Sequence, residues 1–179
     1  MMYRKTLAGL VGLAALTIAG CAKSEPAPKV ANDSKTTAEA SCPFHLDAEP
    51  AGVKSVKEVK QQAKDGDEIA VVGRIGGSAK PFTGRAAFTI VDQSFIPCNE
   101  RKDDDCPTPW DYCCDPPDEL AMGTVLVKFV DAGGKTLASD AKTLLNVKEL
   151  DTVVVKGQAR RDESGSISIV ASGIFLKKK

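Results

Sequence analysis

The stretch "DEIAVVGR" (Asp67 to Arg74) decides the fold, because it returns later in the chain as "DTVVVKGQ" (Asp151 to Gln158). Its apolar residues alternate. Ile69, Val71, Gly73 and Ile75 fall on one face and Glu68, Ala70, Val72 and Arg74 on the other, the period of a half-buried strand. A glycine near the end of each copy suits a strand that bends sharply, where a side chain would obstruct the turn.

The same period extends to either side. "AAFTIVDQS" (86–94) sets Phe88 and Ile90 on one face, and "TVLVKFVDAGG" (124–134) sets Val125, Val127 and Phe129 opposite Thr124, Leu126 and Lys128. "SISIVASGIF" (166–175) completes five strands, with Gly133-Gly134 and Asp162 to Gly165 as turns. Upstream, "SVKEVKQQAKDGD" (55–67) opens with Ser55 and carries Glu58 three residues later, the capping-box spacing. Val56, Val59 and Ala63 follow at helical spacing, and Gly66 is the expected stop. "SDAKTLLNVKEL" (139–150) predicts a second short helix capped by Ser139 or Asp140, contributing Leu144, Leu145, Val147 and Leu150.

The order is helix, three strands, short helix, two strands. With the internal echo, it resembles the OB-fold, a five-stranded Greek-key β-barrel, in its anticodon-binding-like variety, over residues 55 to 176. An unrelated antiparallel barrel or sandwich is the alternative. The resemblance implies binding of single-stranded nucleic acid or oligosaccharide across the second and third strands, through exposed aromatics and a basic groove. Phe88 and Phe129, however, share the parity of the core. The other parity offers only a scatter of Arg74, Arg85, Lys128, Lys156, Arg160 and Arg161.

Residues 1–20 read as a targeting segment, with Arg4 and Lys5 before the apolar run "LAGLVGLAALTIAG". The run ends in Ile18-Ala19-Gly20-Cys21, which resembles a bacterial lipoprotein lipobox. That resemblance implies cleavage before Cys21, its acylation, and an extracytoplasmic protein anchored to a membrane by lipid rather than spanning it. Ala22 in place of aspartate favours the periplasmic face of the outer membrane in a cell with two membranes. Residues 21–41 carry the lipidated cysteine and a tether rich in Ala, Pro, Ser, Thr and charge, too poor in large apolar residues to offset its own ordering entropy. The remaining 42–179 form one small barrel domain with an insertion at 95–119.

The whole chain balances 24 basic against 24 acidic residues, and removing Arg4 and Lys5 leaves 22 against 24. No global basic field recruits nucleic acid. From Cys98 to Glu119 the charge is strongly acidic: Arg101 and Lys102 stand against Glu100, Asp103, Asp104, Asp105, Asp111, Asp115, Asp118 and Glu119. Such a loop beside the usual binding face repels phosphate, which makes nucleic acid an unfavoured partner. The single histidine, His45, lies in "SCPFH" at the edge of the tether, and no nucleophile–base set forms without it, so the chain is not expected to be an enzyme.

The chemistry concentrates in "CNERKDDDCPTPWDYCC" (Cys98 to Cys114). A connection this long between strands is functional or fastened down. Seven residues separate Cys98 from Cys106 and six separate Cys106 from Cys113, which abuts Cys114. Disulfides fit the compartment and the surrounding prolines, with Cys113 and Cys114 reaching separate partners, Cys98 and Cys106, around Trp110. A zinc or copper site is the alternative, with Cys42 and His45 as further ligands, although no Cys-x-x-Cys knuckle is present. Asp103 to Asp105 lack the spacing of a calcium loop, and a redox pair of the Cys-x-x-Cys type is missing. Acylation of Cys21 leaves five cysteines, an odd number, with Cys42 the remote member. Trp110 and Tyr112, presented on a rigid loop, are the expected contacts for an envelope protein or glycan; Trp110 alternatively plugs the loop's own core. The chain therefore reads as a lipid-anchored envelope binding module without a cofactor, with metal binding through the cysteines as the second reading and nucleic-acid or oligosaccharide binding as the third.

Overall fold

The computed structural model describes residues 42–102 and 105–178. The lipobox, Cys21, the tether, and Asp103 and Asp104 of the acidic run lie outside the described residues. The elements run β1 (Val53–Ser55), α1 (Val56–Gln62), β2 (Glu68–Ile75), β3 (Ala87–Val91), α2 (Pro117–Met122), β4 (Thr124–Phe129), α3 (Ala141–Leu145), β5 (Thr152–Arg161) and β6 (Ile167–Leu176).

Five of the strands close into a barrel. β2 pairs antiparallel with β3, β3 with β4, β4 runs parallel to β6, and β6 pairs antiparallel with β5. β5 then returns to β2 from Glu68↔Gln158 to Arg74↔Thr152. The late strand β6 lies between β4 and β5, a Greek-key order, so the fold is the small, mainly β, OB-like barrel expected. The repeated stretches thus pair with each other across the closure.

The predicted inward faces are the core. Val71, Ile75, Phe88, Ile90, Val127 and Phe129 are fully buried, and Phe88 stacks on Phe129 at 6.5 Å between centroids. Neither ring is a surface stacking platform. Gly157 marks a register shift in the β5–β6 ladder, and a Cβ there would stand 2.2 Å from the Val170 carbonyl oxygen. The bend needs a residue without a side chain.

Two features differ from the sequence expectation. A sixth strand, β1, lies parallel to β2 through Val53↔Ala70; at three residues it is too short to show a period. Helix α1 has its capping box, with Ser55 accepting from Glu58 N and Glu58 accepting from Ser55 N, but it ends at Gln62 rather than at Gly66. The Arg161 guanidinium takes the carbonyls of Lys60 and Ala63, and Gly66 N donates to Ala159 O, so β5 draws the chain away before another helical turn can form. Helix α3 forms as expected, capped by Asp140.

The insertion between β3 and β4 has a small core of its own. Val91, Phe95 and Tyr112 are buried together, with Leu120 of α2 packed against them.

Candidate cysteine-centred site

Asp92 begins the insertion. Its buried carboxylate accepts Lys57 N at 2.9 Å and Ser94 N at 3.0 Å, pinning the end of β3 to the start of α1. Burial pushes this carboxyl up, but the hydrogen bonds from Lys57 and Ser94, together with the Lys57 charge, outweigh it and hold the group below its ordinary value.

Beyond Phe95 the chain makes a 3-10 turn at Cys98–Glu100 and returns through Thr108 to Cys114. A backbone bond docks this return on the barrel. Trp110 O accepts Gly77 N at 2.8 Å, while within the insertion Cys98 N donates to Pro109 O at 3.0 Å. Trp110 is half-buried and its indole donates to Ala79 O at 3.2 Å. Gly76 is required at this seam, since a Cβ there would approach the Trp110 carbonyl oxygen to 2.5 Å. The Glu100 carboxylate meets Arg74 of β2 at 3.2 Å, and Arg101 pairs with Asp115 at 2.6 Å, so part of the loop's acidity is compensated locally.

Within this frame Cys98, Cys106, Asp111 and Cys113 converge, each offering one ligand atom within 4.8 Å of all the others. Cys113 Sγ lies 3.6 Å from Cys106 Sγ and 3.8 Å from Cys98 Sγ. Asp111 Oδ1 lies 3.8 Å from Cys106 Sγ and 4.0 Å from Cys98 Sγ. A metal ion holding sulfur at about 2.3 Å in a tetrahedron requires sulfur–sulfur edges of about 3.8 Å. Both measured edges are close to that value.

The carboxylate is held in place by its neighbours. Thr108 Oγ1 donates to Asp111 Oδ2 at 2.7 Å and Cys113 N donates to Oδ1 at 3.0 Å. Burial raises the Asp111 carboxyl, yet these bonds and those from the Cys113 and Cys106 thiols outweigh it and leave the group below the ordinary carboxylate range. Cys113 moves the other way. Hydrogen bonding to Cys106, then to Cys98, pushes its thiol far above the ordinary cysteine range.

Tyr112 links two members of the set. With φ at 59° it occupies the left-handed region, and its ring lies in the insertion core. Burial raises its phenol, with the Arg74 charge working the other way.

Several expectations need correction. The disulfide staple is not formed at Cys113, whose sulfur distances of 3.6 and 3.8 Å exceed the about 2.05 Å of a bond. Cys98 and Cys106 both face Cys113, and Cys114 is exposed outside the converging set, so the adjacent cysteines do not divide the other two between them. Tyr112 is 0% exposed and is not a contact residue; it, rather than Trp110, plugs the insertion core. Cys42 and His45 are elsewhere. Cys42 and Phe44 pack against the main barrel core, and His45 Nε2 bonds to Leu145 O at 2.8 Å.

Asp111 is the member that sequence reading missed, counted there only as one acid among eight. The available signal was the pair Asp111 and Cys113 flanking an aromatic residue, an i, i+2 spacing that can set two ligands on one side of the chain. Among the described residues no helix is long and apolar enough to cross a membrane. No protein-family model and no curated protein matches this chain.

Proposed function

We propose that this chain is a lipid-anchored envelope protein whose OB-like barrel carries a metal-binding loop, with Cys98, Cys106, Cys113 and Asp111 as the ligands. The observation that carries this reading is the convergence of three sulfurs and one carboxylate oxygen within 4.8 Å of one another, with sulfur–sulfur edges of 3.6 and 3.8 Å at Cys113. Zinc suits the set best, because a borderline cation accepts thiolate and carboxylate together, whereas copper(I) favours sulfur alone. Four protein ligands make a closed site, the arrangement of a structural centre rather than a catalytic one. The loop is then a metal-organised surface on a plain scaffold, displaying half-buried Trp110 to an envelope partner or glycan.

The lipid anchor rests on Ile18 to Cys21, and the address on the same motif. A second reading keeps the disulfide: sulfurs less than 4 Å apart in an oxidising compartment can be joined by side-chain rotation.

Elemental analysis alongside intact-mass thiol counting separates the two. One zinc per chain, reduced Cys98, Cys106 and Cys113, and loss of the metal in Asp111→Ala with Cys106→Ser support the metal reading. No bound zinc or copper, with the cluster thiols consumed in pairs, overturns it in favour of the staple.

A further inference from the structure

We infer, resting on the metal reading, that the cluster is a thiol-gated site: oxidation joins Cys113 to Cys106 and expels the ion. Ligand set and gate are the same atoms. Cys113 and Cys106 have the shorter of the two measured sulfur gaps, 3.6 Å against 3.8 Å for Cys113 and Cys98. Accessibility divides the sulfurs in the same way. Cys113 is exposed and Cys106 half-buried, while Cys98 is 0% exposed beneath them. An oxidant arriving from solvent therefore meets the pair that is closest to bonding distance. Its product leaves Cys98 and Asp111 as two ligands, too few for zinc, which takes four in closed sites.

The step balances with a small organic disulfide as oxidant. Cys113 sulfur attacks one sulfur of the disulfide, forming a mixed disulfide and releasing the first thiolate. Cys106 sulfur then attacks Cys113 Sγ and displaces the second. Three metal–sulfur bonds, the metal–oxygen bond to Asp111 and one external sulfur–sulfur bond break, one protein sulfur–sulfur bond forms, and two electrons reduce the oxidant to two thiols, which, like Cys98, take their protons from solvent. Zinc leaves as the hydrated dication. A thiol reductant runs the exchange backwards and restores the site.

The docking of the loop favours local closure. Trp110 O on Gly77 N and the buried Tyr112 ring hold the backbone between the two cysteines against the barrel, so the bond forms across a fixed return. Cys114, exposed and adjacent, hydrogen-bonds to Cys113 but is not one of the four converging ligands.

The experiment uses the full chain, reduced and loaded with zinc alone, then titrated with oxidised glutathione while a chromogenic chelator reports free zinc. The expected result is one zinc released per two thiols lost, a Cys106–Cys113 bond by peptide mapping, and rebinding after reduction. The Cys98→Ser chain binds zinc more weakly yet still forms the same bond. A chain that binds zinc and retains it through oxidation, or that releases it with a Cys98–Cys113 bond instead, overturns the gate while leaving the metal site intact. A chain that never takes up zinc overturns the metal reading and the gate with it.

Discussion

At the scale of single residues, Tyr112 carries two demands at once. Its ring is 0% exposed in the insertion core, packed edge-on to Phe95 at 6.4 Å, and its left-handed backbone lies between Asp111 and Cys113, two members of the cluster. Left-handed conformation at a bulky residue costs about 1 to 3 kcal/mol and persists where the surroundings impose it. Tyr112→Ala removes the ring that imposes it, and denaturant unfolding should show a loss of about 3 to 5 kcal/mol if the insertion unfolds together with the barrel. Thr108 acts through Asp111. Thr108→Ala should leave the fold unchanged and lower zinc affinity about 10- to 100-fold in a competition titration, the usual effect of removing a partner that orients a ligand. Unchanged affinity would take Asp111 out of the ligand set. Asp92 gives a pH dependence with a definite sign. Because its carboxyl is held below the unfolded value of about 3.9, it contributes stability above that pH and loses it as pH falls through the folded value. The stability gap between the wild-type chain and Asp92→Asn should be present at neutral pH and close in acid; a constant gap would mean that packing, not charge, carries the effect.

Among the elements, β5 works hardest. It closes the barrel against β2, pairs along its length with β6, and its end residue Arg161 stops α1 by taking the carbonyls of Lys60 and Ala63. The β5–β6 ladder shifts register at Gly157. Gly157→Ala places a methyl group 2.2 Å from Val170 O and 2.8 Å from Ala171 Cα, both backbone atoms with no rotamer to move aside. The expected cost is about 1 to 3 kcal/mol, read as a lower thermal midpoint, with the cluster ligands untouched. A Gly157→Ala chain as stable as wild type would show that the ladder can shift by a residue without loss. The Gly76-Gly77 pair just after β2 is where the backbone of the loop meets the barrel, beside the Arg74–Glu100 ion pair.

Over the described residues as a whole, two cores stand side by side. The barrel core runs from Val56 to Ile174, and the insertion core consists of Val91, Phe95 and Tyr112 with Leu120. A core that small buries little apolar surface against the ordering of about thirty residues, so in the metal reading the cluster supplies part of the difference. Chelation of zinc from the loaded chain should therefore accelerate amide hydrogen exchange from Phe95 to Met122 and alter the near-ultraviolet signal of Trp110, while the far-ultraviolet signal of the barrel stays in place. If exchange in the barrel strands rises equally, the two cores are one cooperative unit.

The barrel was legible in the chain alone, because a strand's side chains alternate strictly and each inward position must be apolar: Val71, Phe88, Val127 and Ile169 announce their faces without knowledge of any partner. The Ser55–Glu58 cap and the need for Gly157 were legible too, both being short-range effects. Where α1 stops could be known only from the folded molecule, since Arg161 reaches it from about a hundred residues away. Folding likewise placed Tyr112 inside, separated Cys42 and His45 from the cluster, and brought Asp111 to the three sulfurs. Cysteine spacing states which ligands are available. Whether they converge depends on how the loop is docked on the barrel, where two glycines admit it, and that docking leaves no periodic trace in the sequence.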